Sequence, residues 1–174
     1  RQVDAKSGVT GAGRGLKLQN SFCECTENMK AYKVATHRHT SEIEQELSNV
    51  AGEEIMISFT PHLIPQKRGI LSTIYVNLNR KSSAEELTEM YKEFYKDEFF
   101  VRVKEVGDLP ETKHVAGSNF VDIGVCYDER LQRAVVVSSL DNIVKGAAGQ
   151  AVQNMNLLFG LDEKTALTNP GFYL

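Results

Sequence analysis

Two stretches of the chain alternate between apolar and polar residues. Over residues 54–60, Ile55, Ile57 and Phe59 fall on one face; over 69–79, Ile70, Ile74, Val76 and Leu78 do the same. A period of two predicts half-buried strands. Residues 1–6, 18–25, 31–36 and 99–103 read as extended, and residues 120–127 and 133–139 as two strands joined by a turn at Asp128-Glu129-Arg130. Pro61 and Pro65 predict a loop holding His62 between the first two strands. Helical spacing appears in three places. Ile43, Leu47 and Val50 predict a helix over 41–50, with Thr40 as N-cap and Glu42 in the first turn, where the helix dipole favours an anion. Ser83-Ala84-Glu85-Glu86 is a capping box opening a helix to about 96. Its expected buried stripe is Leu87, Met90, Tyr91, Phe94 and Tyr95. Asp141 or Asn142 caps a third helix running to about 159 and ended by Gly160. Several strand pairs are joined too briefly for parallel crossovers. The expectation is an α+β fold, a largely antiparallel mixed sheet with helices on one face.

Charge and composition narrow the function classes. The 174 residues carry a net charge of -3, so the basic excess of a general nucleic-acid binder is absent. No apolar run approaches the roughly 18 residues that cross a membrane. Three cysteines, Cys23, Cys25 and Cys126, are too few and odd in number for a disulfide framework, and a reducing compartment fits them best. Cys23 and Cys25 are expected in an extended segment, pointing the same way, without further ligands at metal spacing. The chain opens without methionine on a strand-like segment, which suggests an excised domain or the removal of a tag.

Candidate chemistry is sparse. The loop Ser7-Gly8-Val9-Thr10-Gly11-Ala12-Gly13-Arg14-Gly15 lacks the glycine spacing of a dinucleotide fingerprint and the Gly-Lys-Ser/Thr of a P-loop. Free amides there, with Arg14, could hold a smaller anion; an ordinary loop fits the pattern as well. His37 and His39 straddle Arg38 just before a helix bearing Glu42. Histidine suits proton transfer near neutral pH, and a carboxylate nearby could orient it. Zinc and a plain surface loop are the rival readings. Gly146 and Gly149 lie inside the third helix, each costing about 1 kcal/mol relative to alanine. They imply a close approach to the backbone, by another element or by a cofactor. The opposite stripe, Val144, Ala148, Ala151, Val152, Met155 and Phe159, is apolar and needs a partner surface. No nucleophile stands out; Cys126 reads as core.

Five ordered segments carry a resemblance. They are Lys6-Ser7-Gly8-Val9-Thr10-Gly11-Ala12-Gly13-Arg14, Thr36-His37-Arg38-His39-Thr40, Ile57-Ser58-Phe59-Thr60-Pro61-His62-Leu63, Arg68-Gly69-Ile70-Leu71-Ser72-Thr73 and Asp141-Asn142-Ile143-Val144-Lys145-Gly146-Ala147-Ala148-Gly149-Gln150-Ala151. Together, over about residues 3–160, the chain resembles the N-acetyl-gamma-glutamyl-phosphate reductase family. The resemblance implies an NADP-dependent enzyme of arginine biosynthesis with two parts. One is an N-terminal Rossmann domain. The other, which this chain matches, is a domain like the C-terminal half of glyceraldehyde-3-phosphate dehydrogenase. The family's nucleophilic cysteine, in a Pro-Gly-Cys-Tyr context, has no counterpart here.

By that resemblance the cysteine forms a thioester from the acyl phosphate and hydride from NADPH reduces it to N-acetylglutamate semialdehyde, with His37 as general acid/base. Ser7, Gly8, Tyr32, His39 and Glu42 match positions lining the substrate pocket, and Gly149 and Gln150 match a region near the nicotinamide. Arg14 is an inferred contact for carboxylate or phosphate. No metal is expected. Ser41 departs from the family's usual proline at the helix start, which loses some preorganisation. The expected organisation is a substrate-binding and dimerisation domain over 1–160. A tail over 161–174, with the third helix, would contact the missing Rossmann domain, leaving that helix's apolar side exposed here. A homodimer or homotetramer in the cytoplasm, or in a plastid if the source is a plant, completes the expectation, with neither nucleic acid nor membrane as partner. The alternative is a non-catalytic interaction module of the same fold.

Overall fold

The computed structural model describes residues 1–15 and 17–172. Among them, strands β1 (Gln2–Gly8), β2 (Lys30–Ala31), β3 (Ser58–Ile64), β4 (Ile70–Asn77), β5 (Val101–Val103), β6 (Val121–Asp128) and β7 (Arg133–Leu140) form one sheet in the order β2-β3-β1-β4-β7-β6-β5. β1–β3 and β5–β6 are parallel and the other neighbouring pairs antiparallel, the α+β mixed sheet that the short connections predict. The helices are α1 (Phe22–Cys25), α2 (His39–Ala51), α3 (Ala84–Phe94) and α4 (Gly149–Leu158).

Register puts the core on one face. Ile74 lies opposite Val136, Val76 opposite Ala134, and Val136 opposite Val125. Leu87 of α3 packs on this surface with Ile123, Val125, Ala134 and Val136. Full burial of each large aliphatic side chain contributes about 1.5–3 kcal/mol. Gly124, between Ile123 and Val125, faces the other side of the sheet. The loop at 108–112 crosses it, touching Gly124, where a Cβ would come within 2.9 Å of the Asp108 carbonyl oxygen and of Pro110.

Ser83 does cap α3, its Oγ accepting from the Glu86 amide at 3.1 Å. The reciprocal half of the box is not made, because the Glu86 carboxylate turns to Arg80 and to Ser82. Leu87 is buried and Tyr91 and Tyr95 partly so, but Met90 and Phe94 are exposed, 56% and 68%. The stripe is therefore narrower than expected.

The first third departs most from expectation. Residues 18–25 are not extended: Leu18–Asn20 is a 3-10 turn and α1 follows. Cys23 is exposed and Cys25 buried, so the two thiols do not share a side. Cys126 is partly exposed rather than deep core. The segment 31–36 contributes only β2. Its residues pair with Leu63 and His62, leaving Pro61 bonded across to β1 alone within the ladders. A proline is tolerated at such a locally unpaired edge, which is why Pro61 and His62 sit inside β3 and not in a loop. His62 Nδ1 there lies 3.1 Å from Asp4 Oδ1. Helix α2 starts at His39 with Arg38, not Thr40, at the N-cap, and buries no residue; Leu47 and Val50 are exposed, 41% and 78%. It is held instead by Ser48 Oγ and Glu44 Oε1, which accept from the Ile55 and Ile57 amides at 2.8 and 3.1 Å.

The third helix is two helices in one. Asp141 Oδ1 accepts from the Ile143 and Val144 amides at 2.7 and 2.9 Å, the N-cap anticipated from sequence. The next turn, Val144–Ala148, is a π-turn, with the Gly146 amide bonded to the Asp141 carbonyl and the Ala148 amide to that of Ile143. Helix α4 then turns polar residues inward. Gln153 and Asn156 are buried, while Met155, Leu157, Leu158 and Phe159 are exposed. Asn156 Nδ2 donates to the Glu163 and Thr165 carbonyls at 3.1 and 3.0 Å, so the first part of the tail lies along this helix.

Candidate active site

His37 sits in the turn before α2 and its ring is enclosed by aromatic edges. Centroids lie 5.5 Å from Tyr32, 4.8 Å from His39 and 5.4 Å from Phe59. Tyr32 is fixed through its amide, which donates to the Pro61 carbonyl at 3.0 Å. The His39 amide, in the first turn of α2, donates to His37 Nδ1 at 3.2 Å. His37 thus supplies the cap that Arg38 lacks. A donor aimed at Nδ1 keeps that nitrogen unprotonated and leaves Nε2 to carry the proton of the neutral ring. Burial lowers the His37 pKa from its ordinary value, and His39, Lys33 and Arg38 lower it further. Burial also raises that of Tyr32. The neutral ring therefore presents its Nε2–H as a donor, and to accept a proton it must free Nδ1 from the His39 amide or exchange tautomers.

Ser7 and Gly8 close β1 at a separate place along the same sheet. Phe59, which backs His37, pairs with Val3, four positions before Ser7, or roughly 13 Å along the strand. Ser7 and Phe59 lie on the same face by the register. Gly8 is required sterically, since a Cβ would meet the Gln66 carbonyl oxygen at 2.9 Å and the Lys67 oxygen at 3.0 Å. Arg14 follows Gly13, whose φ is 74°, and is exposed. Glu42 is exposed on α2.

Gly149 departs from the cofactor explanation. A Cβ there would lie 2.4 Å from Asn119 Oδ1 and 2.8 Å from Val144, so the chain itself fills the space that this glycine leaves. Gly146 faces the Asp141 carbonyl and Leu140 at ordinary contact distances near 3.4 Å. Gln150 is half-buried and its Nε2 donates to Asn154 Oδ1 at 2.9 Å.

The structure therefore brings Tyr32, His37 and His39 together directly. Ser7 and Gly8 form a second group, Gln150 a third, and Arg14 and Glu42 are attached to none. Sequence reasoning missed Phe59, read only as a strand residue, and Lys33, whose charge bears on His37. It also missed Thr10 and the second role of Asn142. The helical pattern marked Asn142 as a possible cap, but nothing in it showed the fold of β1 against β4 that places these residues together.

A sheet of this order, with α3 on one face and a histidine at the mouth of α2, defines a class. Solved aspartate semialdehyde dehydrogenases share the fold. Aspartate semialdehyde dehydrogenase II from Vibrio cholerae matches with a TM-score of 0.68 over 91% of this chain and 55% of that one at 18% identity. A probable aspartate-semialdehyde dehydrogenase from Pseudomonas aeruginosa gives 0.69 over the same shares at 17% identity. The family model described as "Semialdehyde dehydrogenase, dimerisation domain" matches residues 1–142, and the chain belongs to that family. Among sequences, the N-acetyl-gamma-glutamyl-phosphate reductase of Acetivibrio thermocellus is 65% identical over 99% of this chain and 50% of its own length. That of Caldicellulosiruptor saccharolyticus is 57% identical over 98% and 50%. The chain spans about half the length of the curated relatives it matches.

Proposed function

We propose that this chain is the substrate-binding, catalytic and dimerisation half of an NADP-dependent N-acetyl-gamma-glutamyl-phosphate reductase. The enzyme would convert N-acetyl-gamma-glutamyl phosphate to N-acetylglutamate 5-semialdehyde in arginine biosynthesis. The observation that supports it most is the setting of His37, packed against Tyr32, His39 and Phe59, in a chain 65% identical to a reductase of that name. In this role His37 exchanges tautomers so that Nε2 can take the proton of the attacking thiol, which belongs to a cysteine outside the chain, and the proton returns to that sulfur when the aldehyde leaves. Tyr32, His39, Ser7, Gly8, Glu42 and Arg14 line or approach the acyl phosphate, with Arg14 offering a fork of donors for its anionic groups.

The residues present fit a minor share in holding NADP. The Gln150 amide has the donor and acceptor that a carboxamide complements, whereas Gly149 is closed by Asn119. When bound, NADPH supplies the hydride; the nucleotide-binding domain outside this chain would do most of the holding. The exposed side of α4 (Met155, Leu157, Leu158, Phe159) and the tail are the surface for that domain. The assembly is a homodimer or homotetramer, placed in the cytoplasm. Among the described residues no helix is long and apolar enough to cross a membrane.

The test is NADPH oxidation by the full-length protein carrying this chain, given the acyl phosphate. His37→Ala should lower kcat by about 10²–10⁴-fold. The acid limb of kcat/KM should lie below the ordinary histidine pKa, because the group must be neutral to act and its folded pKa is lowered. Lys33→Gln, which removes one of the charges responsible, should move that limb to higher pH. The isolated chain should not turn over. A full-length His37→Ala variant as active as its parent would favour a non-catalytic interaction module.

A further inference from the structure

Asn142 bridges two parts of the molecule that the proposed reaction needs in register. Its side chain is almost fully buried, at 5% exposure. Oδ1 accepts from the Gly69 amide at 2.8 Å and Nδ2 donates to Thr10 Oγ1 at 3.0 Å. The Thr10 hydroxyl proton is already committed to the Lys67 carbonyl at 2.5 Å, so its oxygen is free to accept. Thr10 lies in the turn that directly follows Ser7 and Gly8. That turn is pressed on residues 66–69 by two further bonds, Gly8 amide to Gly69 carbonyl at 2.9 Å and Val9 amide to Gln66 carbonyl at 2.8 Å. On its other side Asn142 adjoins Asp141. The Asp141 carboxylate is wholly buried, accepting from the Ile143 and Val144 amides through Oδ1 and from the Gly117 amide through Oδ2 at 2.7 Å. Those bonds fix the start of the π-turn that leads into Gln150.

We infer that Asn142, through Thr10, is a positioning residue: it holds the Ser7–Gly8 end of β1 against the start of the Gln150 helix. The ladders bring the two ends near each other, Ser7 opposite Ile70 and Ile70 opposite Leu140, and Asn142 ties them with both its polar atoms used. The inference rests on the reductase reading for the meaning of those two ends. The chemistry itself is left to other groups, since Asn142 is sealed from any ligand. A loosened clamp lets the Ser7–Gly8 turn shift, so acyl phosphate binding suffers before the rate of the bound complex does.

Thr10→Val, Thr10→Ser, Asn142→Asp and the double variant Thr10→Val/Asn142→Asp separate positioning from mere stability in the full-length protein. Thr10→Val removes the acceptor at constant shape. Asn142→Asp removes the donor while keeping an acceptor for the Gly69 amide. Each should raise KM for the acyl phosphate about fivefold, the worth of one buried hydrogen bond, with KM for NADPH within about twofold of the parent. The double variant should be no worse than Thr10→Val, which already breaks the Asn142 bond together with the Thr10–Lys67 bond that Asn142→Asp leaves in place. Thr10→Ser should restore the parental KM. Hydrogen exchange of amides in 7–12 and 143–150 should rise together in Thr10→Val and not in Thr10→Ser. An unchanged KM with only a lower melting temperature, additive effects, or failure of serine to rescue would overturn the inference. If the parent reduces no acyl phosphate, the reductase reading fails. The exchange measurement then judges the clamp alone: exchange confined to one segment rejects it, and a joint rise upholds it.

Discussion

Helices α3 and α4 are similar in length and opposite in construction. α3 turns Leu87 into the sheet and leaves its charged residues in water. α4 turns Gln153 and Asn156 inward and leaves Leu157, Leu158 and Phe159 in water, at 59%, 84% and 77% exposure. The first arrangement completes a core within one chain. The second makes sense only for a helix that serves two surfaces. Its inner side is matched to fixed hydrogen-bond partners: Gln153 accepts from Asn119 at 3.0 Å and from Lys145 at 2.7 Å, and donates to Glu163 at 3.0 Å. Its outer side is apolar and waits for another surface. Burial lowers the pKa of the Lys145 ammonium group in this network, and Glu163 and Glu98 pull it back up.

Four substitutions in the isolated chain probe this contrast by urea denaturation. Leu87→Ala, on the apolar side of α3, should cost about 3 kcal/mol through lost burial and the cavity it leaves. Asn156→Leu, of similar size, should cost about 2 kcal/mol because the Glu163 and Thr165 carbonyls lose their donor. It should also speed exchange in the tail. Gly149→Ala gains helix propensity but drives a methyl into Asn119 and Val144, for a net loss of about 1 kcal/mol. Leu158→Gln should change stability by no more than about 0.5 kcal/mol. In the full-length protein the same change should weaken the pairing of the two halves, read as faster proteolysis between them. A large loss from Leu158→Gln in the isolated chain would mean that α4 is built like α3.

The same contrast explains what could be read in advance. Ser83 as cap of α3, strand β4, and the β6–β7 hairpin around Asp128 were legible because their patterns answer to contacts within the element or with a neighbour in sequence. Asp128 Oδ1 even closes the hairpin by accepting from the Arg130 and Leu131 amides. Residues 18–36 were not legible: apolar side chains such as Leu18 and Phe22, 78% and 80% exposed, set no period of burial. Pro61 misled because its place in β3 depends on how short β2 is. At the site, the His-Arg-His spacing marked His37, and the resemblance gave it the role proposed above. The cap that His37 makes for α2, and the reach of Asn142 to Thr10 across 132 positions of chain, follow only from the folded sheet.

The π-turn at Val144–Ala148 gives the chain a margin in length. Such a turn contains one residue more than an ordinary helical turn needs. Deleting Ala147 should therefore not break the helix, which can close into a regular spiral. With the extra residue gone from the turn, the later side chains keep their faces, whereas one residue lost within α4 would turn those after it by about 100°. A loss within α4 ahead of Asn156 would take that side chain away from the Glu163 and Thr165 carbonyls. The π-turn is thus slack in the helix, a place where the chain can lose a residue and keep both of its surfaces.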